Sequence, residues 1–157
     1  MPSSPRLAHR MARQAADFLP QGGEGCVIEI GAGTGAITAA LAKMIPHARL
    51  MLVEADPACC QHLRRQFPQA EIIEGLVEDS LDRLPTPCHR LVLVSSVPLF
   101  SLKVTQRDRV LGAFEMLLER SMAARVMQYT YVPWLPGPRA RWAAAATGDF
   151  AHHHRRP

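Results

Sequence analysis

Residues 26–41 read CVIEIGAGTGAITAAL, and this stretch decides the fold. Val27, Ile28 and Ile30 form a short apolar run suited to a buried parallel strand. Glycines at 31, 33 and 35 break it, and residues 36–44 resume with helical spacing. The pattern is strand, tight turn, helix. Glycines are what such a turn needs, because they accept positive φ and let backbone N–H groups approach a ligand with no Cβ in the way. A small cofactor is expected there.

Upstream, Ser4 followed by Pro5 combines an N-cap with an N1 proline. Leu7, Met11, Ala15 and Phe18 then keep one apolar face, so a helix is expected over residues 5–18. Its other face carries Arg6, His9, Arg10 and Arg13, either as a solvated basic face or as a contact for anionic lipid headgroups. Residues 21–25 are a Gly-rich loop feeding the first strand.

Downstream, Pro46 ends the second helix, and residues 49–53 (RLMLV) give a second strand that closes on Glu54. Asp56-Pro57 repeats the cap and N1 pairing and starts a helix to about residue 66, with Leu63 and Phe67 inward. A short third strand is expected over residues 70–74. Residues 91–95 (LVLVS) make a fourth, a continuous aliphatic run of the kind a two-sided parallel sheet wants. Thr105 with Asp108 resembles a capping box, opening a helix whose apolar positions are Val110, Leu111, Phe114, Leu117 and Leu118. Residues 125–131 (RVMQYTY) are rich in strand formers and make the fifth strand. This alternation implies an α/β, Rossmann-like fold: a mostly parallel twisted sheet with helices on both faces and right-handed crossovers.

At 157 residues the chain fits one domain and leaves no room for a second, substrate-binding one. Its composition, 48% hydrophobic and 20% charged, is that of a globular protein, and no apolar run approaches the roughly 18 residues of a membrane span. Residues 2–13 are polar and basic with no apolar segment behind them, so no secretory leader is expected and the cytoplasm is the expected compartment. The cysteines, Cys26, Cys59, Cys60 and Cys88, lack CxxC spacing, which argues for buried or inert thiols over zinc or disulfides. The net charge of +4 lies largely in the terminal arginines. Without a long basic stripe interleaved with aromatics, no nucleic-acid partner is expected. From residue 133 the chain turns to Pro, Ala, Arg and His. We read residues 1–132 as the domain and 133–157 as a low-order tail, with a short alanine helix near residues 141–146. His152, His153 and His154 belong to that tail, and no metal site is expected.

Two ligands compete for the glycine turn. Gly31-x-Gly33-x-x-Ala36 satisfies a dinucleotide fingerprint, with Glu54 placed for ribose hydroxyls. The denser pattern, Glu29-x-Gly31-x-Gly33-x-Gly35, resembles the S-adenosylmethionine loop of class I methyltransferases. That resemblance implies S-adenosylmethionine as cofactor, its methionine part against Glu29, Gly31, Ala32, Gly33 and Gly35. It also implies ribose hydroxyls gripped by Glu54 beside Ala55, and adenine near Val77 and Glu78. A non-binding tight turn is the third reading.

Residues 95–99 (SSVPL) follow the fourth strand, where class I methyltransferases place the loop facing the methyl acceptor, and residues 128–131 read QYTY. With the opening Pro2-Ser3-Ser4-Pro5-x-Leu7-Ala8, they resemble the bacterial phospholipid N-methyltransferases over roughly residues 2–132. The resemblance implies methylation of the amine headgroup of phosphatidylethanolamine towards phosphatidylcholine, at an anionic surface on the inner face of a membrane. Ser95, Ser96, Pro98 and Tyr131 would be catalytic, with Tyr129, Tyr131 and Trp134 embracing the ammonium. Ribosomal RNA adenine dimethyltransferases share the plan but carry an Asn-Leu-Pro-Tyr type loop that SSVPL does not match. They, small-molecule methyltransferases, a non-catalytic cofactor-binding remnant and a NAD-binding oxidoreductase are the competing functions.

The chain departs from that family in several places, among them an N-terminal extension expected to be shortened. Leu76 stands where many relatives carry an adenine-binding acid, leaving Glu78, Asp79 or the backbone to read adenine. Residues 121–124 replace a Pro-Gly-Gly turn. The residues after Pro133 do not spell the two closing strands, so strands 6 and 7 are expected to be incomplete or absent, with the fifth strand an exposed edge.

Overall fold

The computed structural model describes residues 4–19, 25–84, 88–129 and 150–152. Five parallel strands, β1 (Gly25–Ile30), β2 (Arg49–Glu54), β3 (Glu71–Glu74), β4 (Cys88–Ser95) and β5 (Ser121–Gln128), lie in the order β3-β2-β1-β4-β5. A short β6 (Phe150–His152) pairs antiparallel with β5. The helices are α1 (Pro5–Phe18), α2 (Ala36–Met44), α3 (Pro57–Gln66) and α4 (Val104–Glu119). Successive connections leave β1 in one direction and return to pair β4 on its other side. The strand order therefore reverses between β1 and β4, and a crevice opens at their C-terminal ends, where ligands bind in open α/β sheets.

Period-two alternation splits the core into two layers. Val27, Val92, Val94 and Met127 meet α1 and α2, and Leu52 meets Leu63 of α3. On the opposite face Ile28, Ile30, Met51, Val53, Leu91 and Leu93 meet Val110, Phe114 and Leu117 of α4. The N-cap of α1 forms as expected, Ser4 Oγ accepting from Leu7 N–H at 3.4 Å, and so does that of α3, with Asp56 accepting from Ala58 and Cys59 N–H. The far end of α1 is fixed by two arginines. Arg90 and Arg125 donate to the carbonyls of Phe18 and Gln14 at 2.9 and 3.0 Å and lie over the Phe18 ring at 5.5 and 4.9 Å. Cations there also complement the helix C-terminal dipole.

Three expectations are corrected. The fifth strand runs over Ser121–Gln128, earlier than expected, so of the described part of the QYTY segment Gln128 is in the strand and Tyr129 lies just past it. The reason is a one-residue connection: α4 ends at Glu119, the Arg120 guanidinium donates to Leu81 O at 3.0 Å, and the Ser121 hydroxyl donates to Leu117 O at 3.1 Å. Residues 121–124 are therefore strand and not a turn. The helix α4 begins after Lys103 with no side-chain cap, and Thr105 lies in its first turn, too late to cap it. Buried Leu99 and half-buried Leu102 anchor the preceding segment in the core and set the start. Finally, the edge of β5 is not bare along residues 124–126, where β6 pairs with it; among the described residues the sixth strand spans three residues. The proposed alanine helix lies outside the described residues. Among the described residues no helix is long and apolar enough to cross a membrane, and no cluster of metal-ligating side chains occurs.

Candidate cofactor and acceptor site

The glycine turn sits between β1 and α2 at the mouth of the crevice. Gly33 has φ +57°, and a Cβ built on it meets nothing within 4 Å, so the backbone here borders open space of the kind a ligand lying on its N–H groups requires. Gly35 has φ +84° and a different reason for being glycine: a Cβ would lie 2.5 Å from the Phe67 ring and 3.0 Å from Leu63. One glycine leaves room for a ligand, and the other lets α3 close on α2.

Glu54, at the end of β2, joins this turn to the next loop. Its Oε2 accepts from Gly33 N–H at 2.7 Å and its Oε1 from Asp56 N–H at 2.9 Å. Each oxygen keeps a second lone pair, so the carboxylate is held beside the turn with acceptor capacity left for a diol. Ala55 next to it is exposed. Glu29 lies beneath the turn, 1% exposed, with Thr38 Oγ1 of α2 donating to its Oε2 at 2.7 Å. Burial pushes its carboxyl up to about 8, Glu54 adding to the rise and the Thr38 hydrogen bond opposing it. Ala32 is buried against Leu52 and Leu63.

At the end of β3, Leu76 is 49% exposed and Val77 places its side chain in the core, its carbonyl accepting from Ser80 N–H at 3.1 Å. The two acids that follow diverge. Asp79 is exposed and paired with Arg109 at 2.8 Å, whereas Glu78 Oε2 is buried with no partner among the described residues. The sequence left both acids and the backbone open as adenine readers; of the two acids, Glu78 is the one whose carboxylate has a buried oxygen with no described partner. Ser80, donating to Leu76 O at 2.7 Å, and Arg83, donating to Glu74 O at 2.9 Å, shape this loop. Neither stands out in the sequence, because polar residues in a loop carry no periodic signal.

Across the crevice lies the loop after β4, where the family resemblance puts the acceptor. Ser95 is fully buried, and its Oγ accepts from Val97 N–H at 3.3 Å, closing the turn. Its carbonyl is taken by Tyr129 N–H at 2.7 Å. Ser96 N–H donates to Ile30 O at 2.9 Å, while its hydroxyl and carbonyl are the loop acceptors that no described group engages. Pro98 is exposed and its carbonyl accepts from Ser101 N–H at 2.8 Å. Tyr129 packs against the cluster between α1 and α2. Tyr131 and Trp134 lie outside the described residues. The loop touches the glycine turn directly: a Cβ on Gly31 would be 3.6 Å from Val97 N and 3.7 Å from Ser96 C.

One residue on this side was quoted in the sequence only as part of a motif. Gln128, paired in register with Ser95, donates from Nε2 to Val97 O at 2.8 Å and to Tyr129 O at 2.7 Å. Thr38 was missed as well. Its partner is nine residues away across a turn, and only a folded β1–α2 unit brings them together.

The residues present fit S-adenosylmethionine: open space over Gly33, a fixed acceptor for a diol at Glu54, and a buried carboxylate oxygen at Glu78 with no partner among the described residues. Comparison with known proteins points the same way. The methyltransferase domain family matches residues 27–121. The ornithine lipid N-methyltransferase of Singulisphaera acidiphila is 30% identical over 141 residues, which cover 85% of this chain and 70% of that protein. Ribosomal RNA small subunit methyltransferase A of Acidobacterium capsulatum is 28% identical over 129 residues, covering 76% of this chain and 45% of that one. Among solved structures, S-adenosylmethionine-bound CalS10, an amino pentose methyltransferase from Micromonospora echinaspora, aligns with a TM-score of 0.57 at 18% identity, covering 82% of this chain and 52% of that one. The chain thus spans less than half of the rRNA enzyme and about half of the solved structure, and the latter likeness concerns the fold.

Proposed function

The chain belongs to the class I S-adenosylmethionine-dependent methyltransferases, and we propose that the group it methylates is the primary amine of a lipid headgroup, with phosphatidylethanolamine as the first acceptor to try. The observation that carries this reading is the likeness to the ornithine lipid N-methyltransferase, which extends over 70% of that relative. An amine on a lipid headgroup is common to both acceptors. The SSVPL loop adds support, since it lacks the Asn-Leu-Pro-Tyr pattern of the rRNA enzymes. The rRNA relatives nevertheless make RNA the second acceptor to test.

When bound, S-adenosylmethionine supplies an electrophilic methyl group on a sulfonium. The chain's part is positioning: Gly33 and Glu54 hold the cofactor end, and the loop against Gly31 holds the acceptor. An ammonium headgroup must shed its proton to expose a lone pair, and a low-dielectric pocket favours the neutral amine. In this reading the hydroxyl and carbonyl of Ser96, which no described group engages, orient its N–H groups, whereas Ser95 shapes the loop. Tyr129, Tyr131 and Trp134 supply aromatic faces for the methylated ammonium in this reading.

The deciding experiment incubates the protein with methyl-labelled S-adenosylmethionine and, in parallel, phosphatidylethanolamine vesicles, ornithine-lipid vesicles and 16S rRNA. Label in either lipid extract is expected. Label only in RNA would replace the reading. Tight cofactor binding with no transfer to any acceptor would mark a binding protein without this chemistry.

A further inference from the structure

Gln128 carries, beside the loop after β4, an acceptor atom that no described residue engages. Its Nε2 faces two carbonyl oxygens, those of Val97 and Tyr129. Exchanging the amide O and N would set an oxygen against both, so the orientation is fixed by chemistry. Oε1 must then face the other way, where it is buried and has no partner among the described residues. Val97 O meanwhile accepts from both Leu99 N–H, at 2.8 Å, and Gln128, so the loop is held from two sides. The same Val97 backbone borders Gly31 of the cofactor turn. Buried carbonyl-type oxygens are paired in nearly all native structures, and an unpaired one beside a binding loop asks for a donor from a ligand.

We propose that Gln128 Oε1 accepts a hydrogen bond from the N–H of the acceptor amine, which makes Gln128 a specificity-determining residue for how many methyl groups are added. This inference rests on the N-methyltransferase reading above. A neutral primary amine offers two N–H donors and a secondary amine offers one. A neutral tertiary amine offers none and sets a methyl group against the buried oxygen. Gln128 therefore favours the first two transfers over the third.

The test uses phosphatidylethanolamine, its N-monomethyl and its N,N-dimethyl derivatives in vesicles, with the wild-type chain and Gln128→Met. In wild type, kcat/KM for the dimethyl lipid is expected to be about tenfold below that for the other two. Gln128→Met is expected to lower kcat/KM about tenfold for the first two acceptors and little for the third, with calorimetric S-adenosylmethionine affinity unchanged. Equal loss on all three lipids, or a loss of cofactor affinity of similar size, would mean that Gln128 only braces the loop and would overturn the proposal alone. Should the variant fail to fold, a wild-type preference for the dimethyl lipid would overturn it without any variant. A wild-type chain that methylates none of the three lipids would overturn the lipid reading and this inference together.

Discussion

Glu54 receives Gly33 N–H at 2.7 Å and Asp56 N–H at 2.9 Å, so two loops depend on a single side chain. Glu54→Ala removes both bonds and the acceptor for a ribose diol. We expect calorimetric S-adenosylmethionine affinity to fall at least tenfold, since hydrogen bonds to a charged group contribute about 1.5–3 kcal/mol. Unchanged affinity would remove Glu54 from the cofactor site. Glu29 makes a different prediction. Its carboxyl ionises near 4.5 when unfolded and near 8 when buried, so the folded chain binds the extra proton between those values. Stability from this group is full below pH 4.5 and is lost as pH rises through 8, at up to about 1.4 kcal/mol per pH unit. Glu29→Gln keeps an acceptor for Thr38 and should abolish that slope. Melting curves of the two proteins from pH 5 to 9 should diverge in wild type's disfavour, and parallel curves would show that Glu29 ionises without penalty. The acid and glycines of this turn were legible because their spacing is local. That Glu29 is buried and Glu54 doubly bonded was not, since both facts depend on a helix and a loop that the chain reaches only later.

Among the elements, α1 illustrates the two kinds of information in a sequence. Its start is written in Ser4-Pro5, and its bounds, Pro5–Phe18, follow from the apolar spacing. Its anchor is not: Arg90 and Arg125 reach it from 72 and 111 residues away, and isolated arginines on strands carry no signal of partnership. Phe18 is 8% exposed under those two guanidinium groups. Phe18→Ala should cost about 3 kcal/mol, read from urea denaturation, through lost burial and a loosened helix end. A loss below 1 kcal/mol would mean that the arginines hold α1 through its carbonyls alone. The strand β5 shows the opposite failure. Strand-forming residues continue past its end to Tyr131, while its first residues, Ser121, Met122, Ala123 and Ala124, lack the β-branched character that propensity looks for; pairing with β4 overrides both.

At the scale of the molecule, Arg6, His9, Arg10 and Arg13 are all exposed on α1, and the chain carries a net charge of +4. Under the lipid reading this face meets anionic headgroups, each arginine adding about 1 kcal/mol near a charged surface. Replacing Arg6, Arg10 and Arg13 together by alanine should weaken sedimentation with phosphatidylglycerol-containing vesicles at least tenfold and flatten its salt dependence. Equal binding by both proteins at low salt would leave the face merely solvated. The mostly parallel sheet with helices on both faces was readable from the alternation of elements; its strand order and the crevice at the reversal emerge only from the pairing of the strands, and no periodicity encodes a partner of the whole domain.

The Val97 backbone stands 3.6 Å from where a Cβ on Gly31 would be, and under the proposed reading this contact is a common wall for donor and acceptor. Alanine there would touch that wall and anything larger would push it. Under the methyltransferase reading, a change at position 31 therefore bears on donor and acceptor together, whereas the outer end of the loop, at exposed Pro98, stands away from that contact.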